Sequence, residues 1–125
     1  MDLPALRAAL EASPDNIPLL MLVAQATADE FELEDASKYL DRVLALDPTH
    51  AGARVEKARL LDLDGKTSEA MVRLEVLCGE QPDCAEAWML RAQLALKEGD
   101  AQGARSFYDR AVRLKDTLAN DNLLE

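Results

Sequence analysis

An all-α chain built from antiparallel helix pairs is predicted by three observations. Prolines 14, 48 and 82 recur at intervals of 34 residues, each inside a polar tetrapeptide that follows an apolar run. Alanines keep the same interval, with Ala24, Ala58 and Ala92 in one column and Ala36, Ala70 and Ala104 in another. Glycine and proline number five each, hydrophobic residues are 49% and aromatics only 4%, so the apolar content is mainly Ala, Leu and Val. That balance suits closely packed helices and disfavours an all-β or loop-rich domain.

The elements follow in order. Leu3 to Ala12 reads as a first helix, with Asp2 as N-cap and Pro4 inside the first turn. Ser13-Pro14-Asp15-Asn16, Asp47-Pro48-Thr49-His50 and Gln81-Pro82-Asp83-Cys84 then punctuate the chain. Within the later units a second stop divides two helices, at Gly65-Lys66 and Gly99-Asp100; the first unit departs, with Phe31-Glu32 in that place. Helices are expected at about 17–29, 34–46, 51–63, 67–80, 85–97 and 101–115. The alanine columns mark places where helices approach closely, because only short side chains permit it. Leu40, Leu74 and Tyr108, and Val43, Leu77 and Ala111, form bulkier columns that fill the space alongside.

One ordinary domain accommodates the 125 residues. The net charge is −10, which repels phosphate backbones and anionic headgroups and argues against nucleic acid or membrane as partner. Residues 1–50 hold 10 acids against 3 bases. Much of the excess lies in Asp29, Glu30, Glu32, Glu34 and Asp35, either a solvated turn or a docking patch for a basic partner. No run reaches membrane-spanning length, and Met1-Asp2-Leu3-Pro4 lacks the basic start of a signal peptide, so a cytoplasmic location is expected.

Catalytic patterns are missing from the sequence. His50 is the single histidine and falls in a turn between units, without companions at metal-ligand spacing. Cys78 and Cys84 are separated by five intervening residues, which fits neither a zinc site nor a redox motif. Free thiols are the ordinary reading, with a bridge across that turn the alternative in an exported chain. Glycines 52, 65, 79, 99 and 103 form no phosphate-binding loop. No enzymatic activity, metal or cofactor is expected.

Thirty-four-residue helix pairs with small-residue columns and a closing proline resemble the tetratricopeptide repeat. The third unit carries the resemblance best, in Ala85-Glu86-Ala87-Trp88, Ala92, Ala95, Gly99-Asp100, Ala104, Tyr108 and Ala111. Three full repeats are assigned at 17–50, 51–84 and 85–116, with 3–16 as the second half of an incomplete repeat and 117–125 as a cap or the start of a further segment. Departures are Leu20 and Arg54 in the column of Trp88, Lys57 and Arg91 in a column usually held by leucine, and Asp116 at the closing proline.

The resemblance implies a right-handed superhelical solenoid whose first helices line a concave groove for a partner protein. Position by position this gives Met21, Leu22, Gln25 and Asp29, then Val55, Glu56, Arg59 and Asp62, then Met89, Leu90, Gln93 and Lys97, with Glu86 beside them. Residues at i, i+1, i+4 and i+8 share one side of a helix. Packing against neighbouring helices is the competing role for the apolar members, Leu22 and Leu90 above all. Adaptable methionines among polar groups suit a peptide or amphipathic helix with apolar anchors and basic flanks, with Glu56, Glu86 and Asp62 as counter-charges. Family members that hold the C-terminal carboxylate of heat-shock chaperones use cationic and amide side chains where this chain has Met21, Gln25, Glu56, Glu86 and Leu90, so that ligand is not expected. The leading function is a protein-interaction adaptor, with the recruiting segment of a larger protein as one form of it. Its alternative is a homo-oligomerisation module that self-associates through exposed terminal helices.

Overall fold

In the computed structural model, residues 2–123 are described, with side chains described through Asp116. They form seven α-helices: α1 Leu3–Ala12, α2 Ile17–Asp29, α3 Leu33–Leu46, α4 Ala51–Leu63, α5 Thr67–Glu80, α6 Ala85–Lys97 and α7 Ala101–Leu123. No strand occurs among the described residues. The expected helix bounds agree closely for the first six. The last runs beyond 115 because no glycine or proline interrupts residues 104–123, and Asp116 stands where a proline would end it. The expected cap or further segment at 117–125 extends, at 124 and 125, outside the described residues.

Repetition is visible in the hydrogen bonds that close each turn. The Glu32, Lys66 and Asp100 amides donate to the Thr27, Leu61 and Ala95 carbonyls at 2.9, 2.8 and 2.9 Å. Each is the six-to-one bond of a Schellman closure, which needs a left-handed residue just before its donor. Gly65 and Gly99 fill that place at φ +82° and +85°, and Phe31 fills it at φ +62°. Between repeats, Asn16, His50 and Cys84 amides donate to the Ser13, Asp47 and Gln81 carbonyls at 3.2, 3.1 and 3.1 Å. Proline at the second position presets φ for each of these turns.

The chain divides into two compact units, Met1–Leu60 and Leu61–Glu125. In the first, α1 packs on α2 and α2 turns back on α3. Its core joins Leu6, Leu10, Leu20, Val23, Ala24, Ala36, Leu40, Val43, Ala53 and Leu60. In the second, α6 packs on both α5 and α7, burying Ala70, Leu74, Leu77, Leu90, Ala92, Leu94, Ala95 and Ala111. Fully burying one leucine contributes about 1.5–3 kcal/mol, so these columns carry most of the fold's stability.

Helix starts use local acceptors. Asn16 Oδ1 accepts from the Leu19 amide at 3.1 Å, and Asp100 Oδ1 from the Gly103 amide at 2.9 Å. Asp2 occupies the expected N-cap position of α1 but makes no side-chain cap bond.

Candidate functional site

The first helices carry the residues selected from sequence, and the two units are taken separately. In the first unit, α2 leaves Leu22 45% exposed and Gln25 and Asp29 exposed, with Met21 half-buried. Gln25 Nε2 donates to Asp29 Oδ1 at 3.1 Å. Leu22, Gln25 and Asp29 line a cleft of about 530 Å³ together with Ala26 and Glu30 of the same segment and Asp2, Leu3, Pro4 and Leu6 of the first. On α4, Glu56 is half-buried and its Oε1 lies 3.4 Å from Arg59 Nε.

In the second unit, Met89 is half-buried and Gln93 exposed. Both line a cleft of about 400 Å³ with Ala92, Leu96, Ala101, Ala104, Arg105 and Tyr108. Asp62 Oδ1 pairs with Lys97 Nζ at 2.8 Å and also accepts from Thr67 Oγ1 at 2.7 Å. Glu86 is exposed in the first turn of α6.

Two of the thirteen expected groove residues depart from expectation. Val55 and Leu90 are each 3% exposed, so their side chains belong to the packing between helices. Spacing places them on the chosen side of a helix but cannot tell whether that side meets solvent or a neighbour. Two of the three expected counter-charges are also engaged inside the chain, Glu56 by Arg59 and Asp62 by Lys97. Such partly solvated pairs contribute about 0–1 kcal/mol, and a ligand cation would have to compete with them.

Sequence reasoning missed the residues that complete the clefts. Leu6 stands 34 positions before Leu40, and Tyr108 34 after Leu74. Leu40 and Leu74 are 1% and 0% exposed, whereas Tyr108 is 52% exposed. The column itself was the available signal: its terminal members stand beside clefts.

The charged intruders in the leucine column are accommodated locally. Lys57 Nζ pairs with Asp41 Oδ1. The Arg91 guanidinium lies 4.0 Å from the Phe107 ring centroid and 5.1 Å from that of Trp88, while Trp88 Nε1 donates to the Pro82 carbonyl at 2.8 Å. Cationic faces over aromatic rings are favourable, yet Arg91 Nε is buried without a hydrogen-bond partner.

His50 Nδ1 accepts from the Ala53 amide at 3.0 Å, which caps α4 and uses the ring as a structural acceptor. Cys78 is buried and Cys84 half-buried, both as free thiols. Burial pushes the Cys78 thiol above its ordinary range against an opposing pull from Arg91. Among the described residues, no group of three or more His, Cys, Asp or Glu side chains could hold a metal ion. No helix among them is long and apolar enough to cross a membrane.

Models of the tetratricopeptide repeat match residues 27–94 and 72–119. Among solved structures, MamA of MSR-1 is 19% identical, with 92% of this chain and 66% of that chain covered and a TM-score of 0.66. MamA of RS-1, a double mutant, is 22% identical, with 90% and 63% covered and a TM-score of 0.66. A tetratricopeptide repeat protein from Parabacteroides merdae ATCC 43184 is 20% identical, with 91% and 46% covered and a TM-score of 0.69. The chain thus spans less than two thirds of the length of these structures, and the likeness is one of fold. A comparison with curated proteins finds no match. With a family model covering more than half its length, and with the same turn closures recurring every 34 residues, the chain belongs to the tetratricopeptide repeat family.

Proposed function

We propose that this chain is a protein-interaction adaptor that takes a peptide or amphipathic helix of a partner along the open edges of its first helices. Repeats of this family serve as interaction scaffolds, and the finer reading rests on one observation. Leu22, Gln25 and Asp29 border one cleft and Met89 and Gln93 border another, each mixing apolar floor with polar rim. Half-exposed apolar side chains beside polar groups are the usual anatomy of a peptide-binding surface. Val55 and Leu90 support the fold beneath, and Glu86 remains an accessible counter-charge for a basic flank.

Affinity capture from cell extract, repeated with Met89→Glu and with Leu22→Asp, tests the reading. Partners retained by the native chain should be lost with one or both variants. Retention of every partner by both would overturn it. Titration of a basic amphipathic peptide library tests the charge preference, and indifference to Glu56→Lys plus Glu86→Lys would remove that part.

A specific observation favours a second reading, self-association through the α7 end. Tyr108 and Leu96 are 52% and 64% exposed beside the 400 Å³ cleft, and apolar patches of this kind promote association. A concentration-independent monomer mass in light scattering would remove it.

A further inference from the structure

The cleft between α1 and α2 carries an inference that rests on the adaptor reading and names its site and ligand chemistry. Helix α1 is a second-type helix by register: Leu6 and Leu10 stand 34 positions before Leu40 and Leu44. The cleft beside it, of about 530 Å³, is floored by Leu3, Leu6, Leu22 and Ala26.

The rim of that cleft is acidic and unneutralised. Asp2, Asp29 and Glu30 line it, and no lysine or arginine does. The neighbouring acids are treated differently: Glu32 and Asp35 flank Arg7 at 3.2 and 4.0 Å, and Glu34 flanks Lys38 at 3.9 Å. Among the described residues, no ion pair involves Asp2, Asp29 or Glu30, and Asp2 does not cap α1. Three carboxylates around an apolar floor in a chain of net charge −10 complement a cationic ligand both at contact and during encounter.

We infer that this cleft, with its apolar floor and acidic rim, receives a basic amphipathic helix of a partner protein laid along α1 and α2. The ligand places a stripe of apolar side chains, three and four residues apart, on Leu3, Leu6 and Leu22. Its lysines and arginines meet Asp2, Asp29 and Glu30. A helix of about ten residues extends about 15 Å, which matches the length of α1.

The probe is a fluorescein-labelled Leu/Lys helical peptide with leucines on one face, compared with its Leu/Glu twin by fluorescence anisotropy on the full chain. The Lys peptide should bind about tenfold or more tightly than the twin, and more weakly as salt rises. Leu22→Asp, and separately Asp29→Lys plus Glu30→Lys, should each weaken it about tenfold, while Val72→Glu, at a 60% exposed position on α5, leaves it within about twofold. Leu22 is exposed enough for the substitution to leave the fold intact, which far-ultraviolet circular dichroism checks. Equal binding of the twins, or binding unchanged by Leu22→Asp, overturns the inference. Loss of binding with Met89→Glu alone overturns it while leaving the adaptor reading standing. Failure of both peptides to bind overturns it as well, and the capture experiment then judges the adaptor reading separately. Dimerisation abolished by Leu22→Asp would assign the cleft to a second copy and likewise overturn it.

Discussion

The Arg91 guanidinium lies 4.0 Å above the Phe107 ring, at a position where the family usually places leucine. The aromatic faces of Phe107 and Trp88 offset the charge, but Nε is left buried without a partner. The native arginine is therefore a compromise between cation–π attraction and an unsatisfied donor. Arg91→Leu should be as stable as the native chain or more so. Arg91→Ala should lose about 2 kcal/mol through lost packing and stacking. Urea denaturation checks both, and equal destabilisation by the two substitutions would contradict this account.

Phe31 holds a left-handed conformation at φ +62° where Gly65 and Gly99 stand in the later units. A non-glycine residue there costs roughly 1–2 kcal/mol, partly offset by the greater chain entropy glycine loses on folding. Phe31 is 66% exposed, so little burial is forfeited. Phe31→Gly should stabilise the chain by about 0.5–1 kcal/mol, and Gly65→Ala should destabilise it by about 1 kcal/mol. Chemical denaturation of both variants, with opposite shifts in midpoint, is the expected outcome.

His50 accepts the Ala53 amide through Nδ1 and so caps α4. His50→Ala should cost about 1 kcal/mol, and His50→Asn or His50→Asp should recover most of it, since both supply a capping oxygen. A thermal melt in which alanine and asparagine variants coincide would refute the capping role.

Cys78 is buried with its thiol pushed above the ordinary range, chiefly by desolvation, whereas Cys84 is half-buried. Iodoacetamide at mildly alkaline pH should label Cys84 well before Cys78, by peptide mass spectrometry. The folded state favours the neutral Cys78 thiol, so its contribution to stability is complete below the ordinary value of 9.0 and is lost as pH rises above it. Cys78→Ala should flatten that alkaline decline.

Much of this architecture is legible in the sequence because its punctuation is chemical. Proline at 14, 48 and 82 and glycine at 65 and 99 fix where helices turn, and the Schellman bonds follow from those positions. Phe31 is legible only through its column, since phenylalanine by itself does not announce a left-handed turn. The end of α7 is not legible, because continued helix and a fresh segment look alike where no breaker stands. Candidate site residues were only partly legible. Helical spacing selects a side of α2, α4 and α6, but burial of Val55 and Leu90 depends on which helix lies against that side. The contribution of Leu3 and Leu6 to a cleft depends on what is not packed there, which no local pattern records.

Site-specific photocrosslinking shows which helices a bound partner touches. Benzoylphenylalanine would be placed at Gln25, at Gln93 and at Val72, which is 60% exposed on the second-type helix α5. Partner adducts are expected from Gln25 or Gln93 and none from Val72. Adducts from Val72, with Gln25 and Gln93 silent, would contradict binding along the first helices.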